Sequence, residues 1–249
     1  MKKVLVTVRL LKSNEERASK IWDAKLNLNN NIYSENQLVE LSKDCDGILS
    51  SIVDKIDEKT ISKLSDKVKI ISNFAVGFGN IDIKAASKKN IIVTNTPDVL
   101  TDATAEIAML LILGASRRVV EGMQWVKNKN WRWSADFLIG KQLSGSRLGI
   151  LGMGRIGQAL AKRAKAFGME IHYHNRTKLD QSLELGAIYH DNIRSLFSSS
   201  DILSINCPET KETTKIINKK TLKFFSREAI IVNSARGSMI DDDSMVEAL

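Results

Sequence analysis

Gly152, Gly154 and Gly157 lie in the run Gly152-Met153-Gly154-Arg155-Ile156-Gly157, a G-x-G-x-x-G. That spacing suits a diphosphate. The first glycine allows a tight turn out of a strand. The second, lacking a Cβ, lets phosphate approach the backbone. The third lets the following helix pack closely on the strand. The helix N-terminus then adds unpaired N–H groups and the positive end of a dipole. Alone the motif is weak, because any glycine-rich turn reads the same way. Its setting makes it specific. Leu148–Leu151 is an apolar run read as a buried strand, and Ile156, Leu160, Ala164 and Phe167 recur at helical spacing. Gly168 falls where a left-handed helix cap belongs, and Met169–His174 reads as a second strand. Strand, glycine turn, helix and strand together are what a dinucleotide fingerprint requires. The predicted cradle is Gly152, Gly154, Arg155, Ile156 and Gly157.

The residues closing the second strand choose the coenzyme. An acid there would hold the ribose 2′-hydroxyl of NAD. This chain has Asn175-Arg176-Thr177-Lys178, with no acid. Arg176 is placed to pair with a 2′-phosphate, with Asn175 and Thr177 beside it. A charge-assisted hydrogen bond contributes roughly 1.5–3 kcal/mol, or about tenfold or more in affinity. The expectation is NADP(H) preferred, with NAD(H) possible. The competing reading is that Arg176 and Lys178 are ordinary solvated loop charges.

The elements that must position these residues fit the length. A chain of 249 residues, 43% hydrophobic, suits one large or two modest domains. Ile107–Leu113 is apolar, but Arg117-Arg118 follow too soon for a membrane span. The N-terminus enters a strand directly, and Cys45 and Cys207 match no metal or redox spacing. These features predict a reduced, cytoplasmic protein with no metal and no membrane partner. The net charge of +8 raises nucleic-acid binding, but the lysines are scattered among acids and no RNA-binding signature is present. A solvated basic surface that attracts anionic substrates is the expected reading, with no nucleic-acid partner.

Strands and helices alternate along the chain. Val4–Val8, Gly47–Ser50, Val68–Ser72 and Ile91–Thr94 read as strands, with a weaker one near Leu26–Asn30. Ser13–Glu16 and Ser34–Gln37 have capping-box spacing, and helices are expected at Asp57–Leu64 and Asp82–Lys89. Thr101–Val120 reads as one long helix, apolar on nearly every face and so buried. Gly122–Gly140 is a connector with Trp125, Trp131 and Trp133, either local core or an interface. Strands follow near Ala187–Tyr189, Ile202–Asn206 and Ala229–Asn233, with helices near Asn192–Ser199 and Lys219–Phe225 and another opening at Asp241–Asp243. Repeated β-α units imply an α/β fold with mostly parallel sheets covered on both faces.

Five segments in order now resemble one family: Asn73–Ile83, Asn95–Ala108, Gly149–Gly157, Cys207–Thr213 and Asn233–Gly237. They resemble the D-2-hydroxyacid dehydrogenases, nearest the glyoxylate/hydroxypyruvate reductase members, over essentially the whole chain. The resemblance implies two doubly wound parallel-sheet domains with the active site in the cleft. Residues 1–97 would be a flavodoxin-like substrate domain and residues 98–249 a Rossmann NAD(P)-binding domain. The N–H groups of Val76 and Gly77 would hold a substrate carboxylate. Thr104 would reach the coenzyme. Cys207 would join the coenzyme site, with Pro208 and Thr213 lining its adenosine side and Ser234 and Ala235 its nicotinamide side. Arg236 would grip and polarise the 2-oxoacid, a role its always-charged fork of donors suits. The implied reaction is NADPH-dependent reduction of glyoxylate or hydroxypyruvate, in a homodimer built around the apolar helix and the tryptophan connector.

The chain also departs from the family pattern. The family's proton-donating histidine and its glutamate would lie beyond Leu249, and His172, His174 and His190 match neither position. The resemblance therefore implies a C-terminally truncated form, inactive alone because general acid catalysis typically contributes ~10²–10⁴-fold. Two alternatives stay open. One is another D-2-hydroxyacid or phosphoglycerate dehydrogenase. The other is a non-catalytic, corepressor-like dinucleotide sensor.

Overall fold

The computed structural model describes residues 1–128 and 133–249, which leaves Trp131 outside the described residues. The chain forms two compact units, Met1–Val99 and Leu100–Leu249. The first runs β1 (Lys3–Val6), α1 (Lys12–Ile21), β2 (Asp23–Leu26), α2 (Glu35–Ser42), β3 (Gly47–Ser51), α3 (Glu58–Lys63), β4 (Ile70–Phe74), α4 (Ile83–Lys88) and β5 (Ile92–Thr94). Its strands are all parallel, in the order β2-β1-β3-β4-β5. That is the flavodoxin-like order. Leu38, Ile48, Ile56, Ile61 and Ile71 form its core.

Local chemistry sets the helix starts. At α2, Ser34 and Gln37 form the full capping box. At Ser13 the expected box does not form, because α1 begins at Lys12, behind Leu11, and Ser13 already lies inside the first turn. Glu15 instead reaches backwards. It accepts the Leu10 N–H at 3.1 Å and pairs with Arg9 at 2.9 Å. The weak strand expected near Leu26–Asn30 is β2, which ends at Leu26.

The second unit contains α5 (Thr101–Ser116), α6 (Val119–Lys127), β6 (Arg147–Leu151), α7 (Arg155–Ala166), β7 (Glu170–His174), α8 (Gln181–Glu184), β8 (Ile188–Tyr189), α9 (Ile193–Ser199), β9 (Ile202–Ile205), β10 (Ile230–Asn233) and α10 (Asp242–Ala248). The strands are again all parallel, ordered β10-β9-β6-β7-β8. Counted within the unit this is 3-2-1-4-5, the dinucleotide-binding order, with its switch point between β6 and β9. α5 lies on α7, joined by Arg163 to Asp102 at 2.9 Å and to Glu106 at 3.1 Å.

Four sequence expectations need correction. The helix expected over Thr101–Val120 is two helices, broken at Arg118, whose φ is +52°. Nor is α5 buried all round: Ala105, Ala108, Met109 and Ile112 face the core, while Ile107 and Leu110 are 52% and 61% exposed. The helix expected near Lys219–Phe225 is a single 3-10 turn, Leu222–Phe224. Thr221 Oγ1 accepts the Asn218 N–H at 2.9 Å and donates to the Ile216 carbonyl at 2.6 Å, and such local bonds compete with a helix. Phe167 is exposed rather than on the buried face of α7, because the chain turns away at Gly168 with φ +74°.

Arg147 clamps the start of β6 to the entry of β9. Its N–H, Nε and Nη2 donate to Asp201 at 2.9, 3.1 and 3.0 Å. Hydrogen bonding to that guanidinium holds the Asp201 carboxyl down at about 2, against an ordinary 3.8. A carboxyl with a depressed folded-state value stabilises above its ordinary value and loses that contribution as pH falls towards 2. Asp201→Asn should therefore lower the melting temperature near neutrality, with the deficit shrinking as pH drops from about 4 towards 2. Thermal melts across that range check this; a deficit constant with pH would contradict it.

Candidate active site

The glycine turn closes the C-terminal end of β6. Gly152 has φ +95°, and a Cβ there would fall 2.5 Å from the Cys207 amide nitrogen and 2.6 Å from its Cα. At Gly157 a Cβ would fall 2.6 Å from the Gly152 carbonyl oxygen. At Gly154 it would meet nothing within 4 Å. The turn is thus closed on the protein side and open above Gly154, the N-cap of α7. The first-turn N–H groups of α7, including those of Arg155, Ile156 and Gly157, have no intrahelical acceptor. An anion over Gly154 would meet them.

The end of β7 braces this turn. The Gly152 N–H donates to the His174 carbonyl at 3.0 Å, and the Met153 N–H donates to Asn175 Oδ1 at 2.7 Å. Arg176 and Thr177 are exposed, and Arg176 forms no ion pair with a described residue. Its charge is felt by Cys207 and Glu212 across the β9 loop. Lys178 is occupied elsewhere, 3.6 Å from Glu184 and 5.9 Å from the Tyr189 ring centre.

The β9 loop is closed by Thr213. Its Oγ1 donates to the Pro208 carbonyl at 2.9 Å and accepts the Thr210 N–H at 2.7 Å. Beside it, Ser234 donates to Asn206 Oδ1 at 3.2 Å, tying the ends of β10 and β9. Asn233 shapes the next turn: its Oδ1 accepts the Ala235 N–H at 3.0 Å and its Nδ2 donates to the Arg236 carbonyl at 2.7 Å. Arg236 is exposed, its Nη1 donating only to the Ala235 carbonyl at 2.9 Å among the described residues. Thr104 is half-buried in the first turn of α5.

In the first unit, β4 runs into the turn that carries Val76 and Gly77. Asn95 Nδ2 donates to the Val76 carbonyl at 2.8 Å and Asn73 Nδ2 to the Gly77 carbonyl at 2.9 Å. Asn80 Nδ2 ties the same turn to the Ser51 and Asp54 carbonyls at 3.0 and 3.1 Å. With both carbonyls so engaged, the Val76 and Gly77 N–H groups have no acceptor among the described residues, and paired N–H groups of this kind form anion-binding concavities. These asparagines were not singled out from the sequence. The only signal was their recurrence at strand ends and turns.

The side chains of the three histidines are engaged with one another's residues and with Glu170 and Ser195. Glu170 Oε1 lies 2.7 Å from His172 Nε2, His172 Nδ1 2.8 Å from His190 Nε2, and His190 Nδ1 2.7 Å from Ser195 Oγ. His174 Nδ1 donates to the His190 carbonyl at 2.8 Å. The ring–ring contact needs one donor and one acceptor, so two imidazolium rings are incompatible with it. Burial chiefly, with His172 and His174 adding to it and Asp191 opposing, pushes His190 below its ordinary 6.5. The unfolded chain then binds more protons than the folded one, and stability should fall as pH drops below about 6.5. Urea midpoints between pH 8 and 5 should show this loss, and His190→Gln should remove part of it.

A doubly wound sheet with a glycine turn opening a helix at its switch point defines a dinucleotide-binding fold. Residues 109–249 match the family described as D-isomer specific 2-hydroxyacid dehydrogenase, NAD binding domain. The chain is 40% identical over 253 residues to a glyoxylate reductase of Thermococcus litoralis, covering 99% of this chain and 76% of that one. It is 38% identical over 251 residues to a glycerate dehydrogenase of Hyphomicrobium methylovorum, covering 100% and 78%. The crystal structure of a glyoxylate reductase from Paecilomyes thermophila matches with a TM-score of 0.89 at 32% identity, over 100% of this chain and 77% of that one. The chain belongs to the D-isomer specific 2-hydroxyacid dehydrogenase family.

Proposed function

We propose that this protein reduces a small 2-oxoacid, glyoxylate or hydroxypyruvate, to the 2-hydroxyacid with NADPH. The observation that carries the reading is the turn at residues 152–157, shut against Cys207 and open over Gly154. Those residues fit the diphosphate of a nicotinamide dinucleotide, with Thr104, Cys207, Pro208, Thr213, Ser234 and Ala235 as further coenzyme contacts. When bound, the reduced nicotinamide supplies a hydride equivalent. Arg236, with its guanidinium exposed, orients and polarises the 2-oxoacid through paired donors. The free N–H groups of Val76 and Gly77 take the substrate carboxylate. His172, His174 and His190 are committed to one another and to Glu170 and Ser195, and we assign none of them the proton transfer to the new hydroxyl. We further propose that the protein works in the cytoplasm; among the described residues no helix is long and apolar enough to cross a membrane.

NADP(H) is favoured because Arg176 is exposed and carries no ion pair to a described residue. Titrating both coenzymes tests this. Arg176→Ala should weaken NADPH binding by about tenfold or more and leave NADH binding unchanged. Wild-type protein that binds the two equally would overturn the preference. Pairing of two copies through α5 and α6, where Leu110, Val120, Met123 and Val126 are exposed, is the proposed assembly. Light scattering tests it, and a monomer at micromolar concentration would refute it.

A further inference from the structure

The two N–H groups assigned to the substrate carboxylate belong to successive peptide units. One unit joins Ala75 to Val76, the other Val76 to Gly77. In a trans peptide the C=O and the N–H point opposite ways, and among the described residues no peptide is cis. Whatever holds the carbonyl of such a unit therefore aims its N–H. The Ala75 carbonyl accepts the Thr96 N–H at 3.0 Å, and the Val76 carbonyl accepts from Asn95 Nδ2 at 2.8 Å. Both donors sit on adjacent residues just after β5. Both carbonyls thus face that segment, and the Val76 and Gly77 N–H groups face away from it together. A carbonyl only accepts, so the Asn95 group beside it is the NH₂, and the orientation of that amide is fixed. Gly77 offers little resistance to rotation of the 76–77 unit, since without a Cβ it is open to φ of either sign.

We propose that Asn95 is a positioning residue for the substrate: its side-chain amide latches the 76–77 peptide unit so that the Gly77 N–H faces the carboxylate. The inference rests on the carboxylate reading above. Thr96 holds the preceding unit through its backbone, a tie that only proline in its place would remove. The Asn95 tie is made by a side chain and depends on residue type. Without that NH₂ the Val76 carbonyl is free to turn, and a carbonyl turned into the site meets a carboxylate oxygen to oxygen. One of the two N–H contacts is then lost, while the Val76 N–H, on its own unit, stays in place.

Asn95→Leu removes the donor at nearly constant size, and Asn95→Ala removes it without adding bulk in case the leucine variant does not fold. The full chain, saturated with NADPH, is titrated with oxamate. The affinity is read together with the amide proton resonances of Val76 and Gly77, and NADPH affinity is measured in parallel. In wild type, oxamate should move both resonances. In the variants oxamate affinity should fall about tenfold or more, with NADPH affinity unchanged. The Val76 resonance should still respond and the Gly77 resonance should not. A turn merely loosened by the substitution would lose both responses alike, and that result overturns the latch. So does wild-type oxamate affinity in the alanine variant. A wild type in which oxamate moves neither resonance overturns the carboxylate reading itself, and the latch with it.

Discussion

Gly152→Ala should cost both coenzyme binding and stability, whereas Gly154→Ala should cost binding alone. The contrast follows from what surrounds each position. At 152 the φ of +95° disfavours any side chain, and the added carbon would lie 2.5–2.6 Å from backbone and Cβ atoms of Cys207. Backbone at that distance cannot swing aside as a side-chain tip can. Strain of this kind costs about 1–3 kcal/mol per residue, and relieving the clash means moving the β9 loop away from β6. We expect a melting point several degrees lower and NADPH affinity reduced by roughly two orders of magnitude, as ~3 kcal/mol implies. Gly154 has φ −80° and open space where the new methyl would sit. Its alanine variant should melt like wild type yet hold NADPH poorly, because the methyl occupies the ground a diphosphate must approach. Calorimetric melts and fluorescence titrations of the two variants decide the matter. Tight NADPH binding by Gly154→Ala would remove the turn from the coenzyme site.

The second large effect concerns Arg236. Its guanidinium is exposed and its turn is set by both ends of the Asn233 amide. If it grips the 2-oxoacid, its removal should leave NADPH affinity intact and weaken substrate recognition. Losing one partner of a charge-assisted pair costs about 2–5 kcal/mol, so we expect a fall of about two orders of magnitude or more. The readout is the affinity of oxamate for the NADPH-loaded protein. Arg236→Lys keeps the charge but loses the planar fork, and should recover little. A variant that binds oxamate as wild type does would sink the assignment. Asn233→Ala should produce a milder version of the same defect, because the guanidinium would remain but its turn would loosen.

The sheets were legible because buried parallel strands are short, largely apolar runs: Leu148–Leu151 is one, and Ile202–Ile205 is another, interrupted only by the buried Ser204. The glycine turn was legible because its three glycines answer three separate steric demands. The break at Arg118 was not: it involves neither glycine nor proline, and a left-handed arginine leaves no mark in the pattern. The 3-10 turn at Leu222 was hidden for a related reason, since side-chain bonds of Asn218 and Thr221 outcompete an otherwise helical run. The asparagine clamps at positions 73, 80, 95, 175, 206 and 233 were least legible as clamps. An asparagine reads as turn-former or ligand contact alike, and only the placement of a distant N–H or carbonyl tells which.

Gly152 folds directly over Cys207, and the thiol in that position has a chemical fate of its own. Burial pushes it up to about 11, so the thiol stays protonated at neutral pH. Cys45 is likewise raised by burial. Peroxide and alkylating agents attack sulfur as the anion, and this protein gives them almost none. It should keep its nucleotide pocket through oxidant exposure and purification in air, without added reductant.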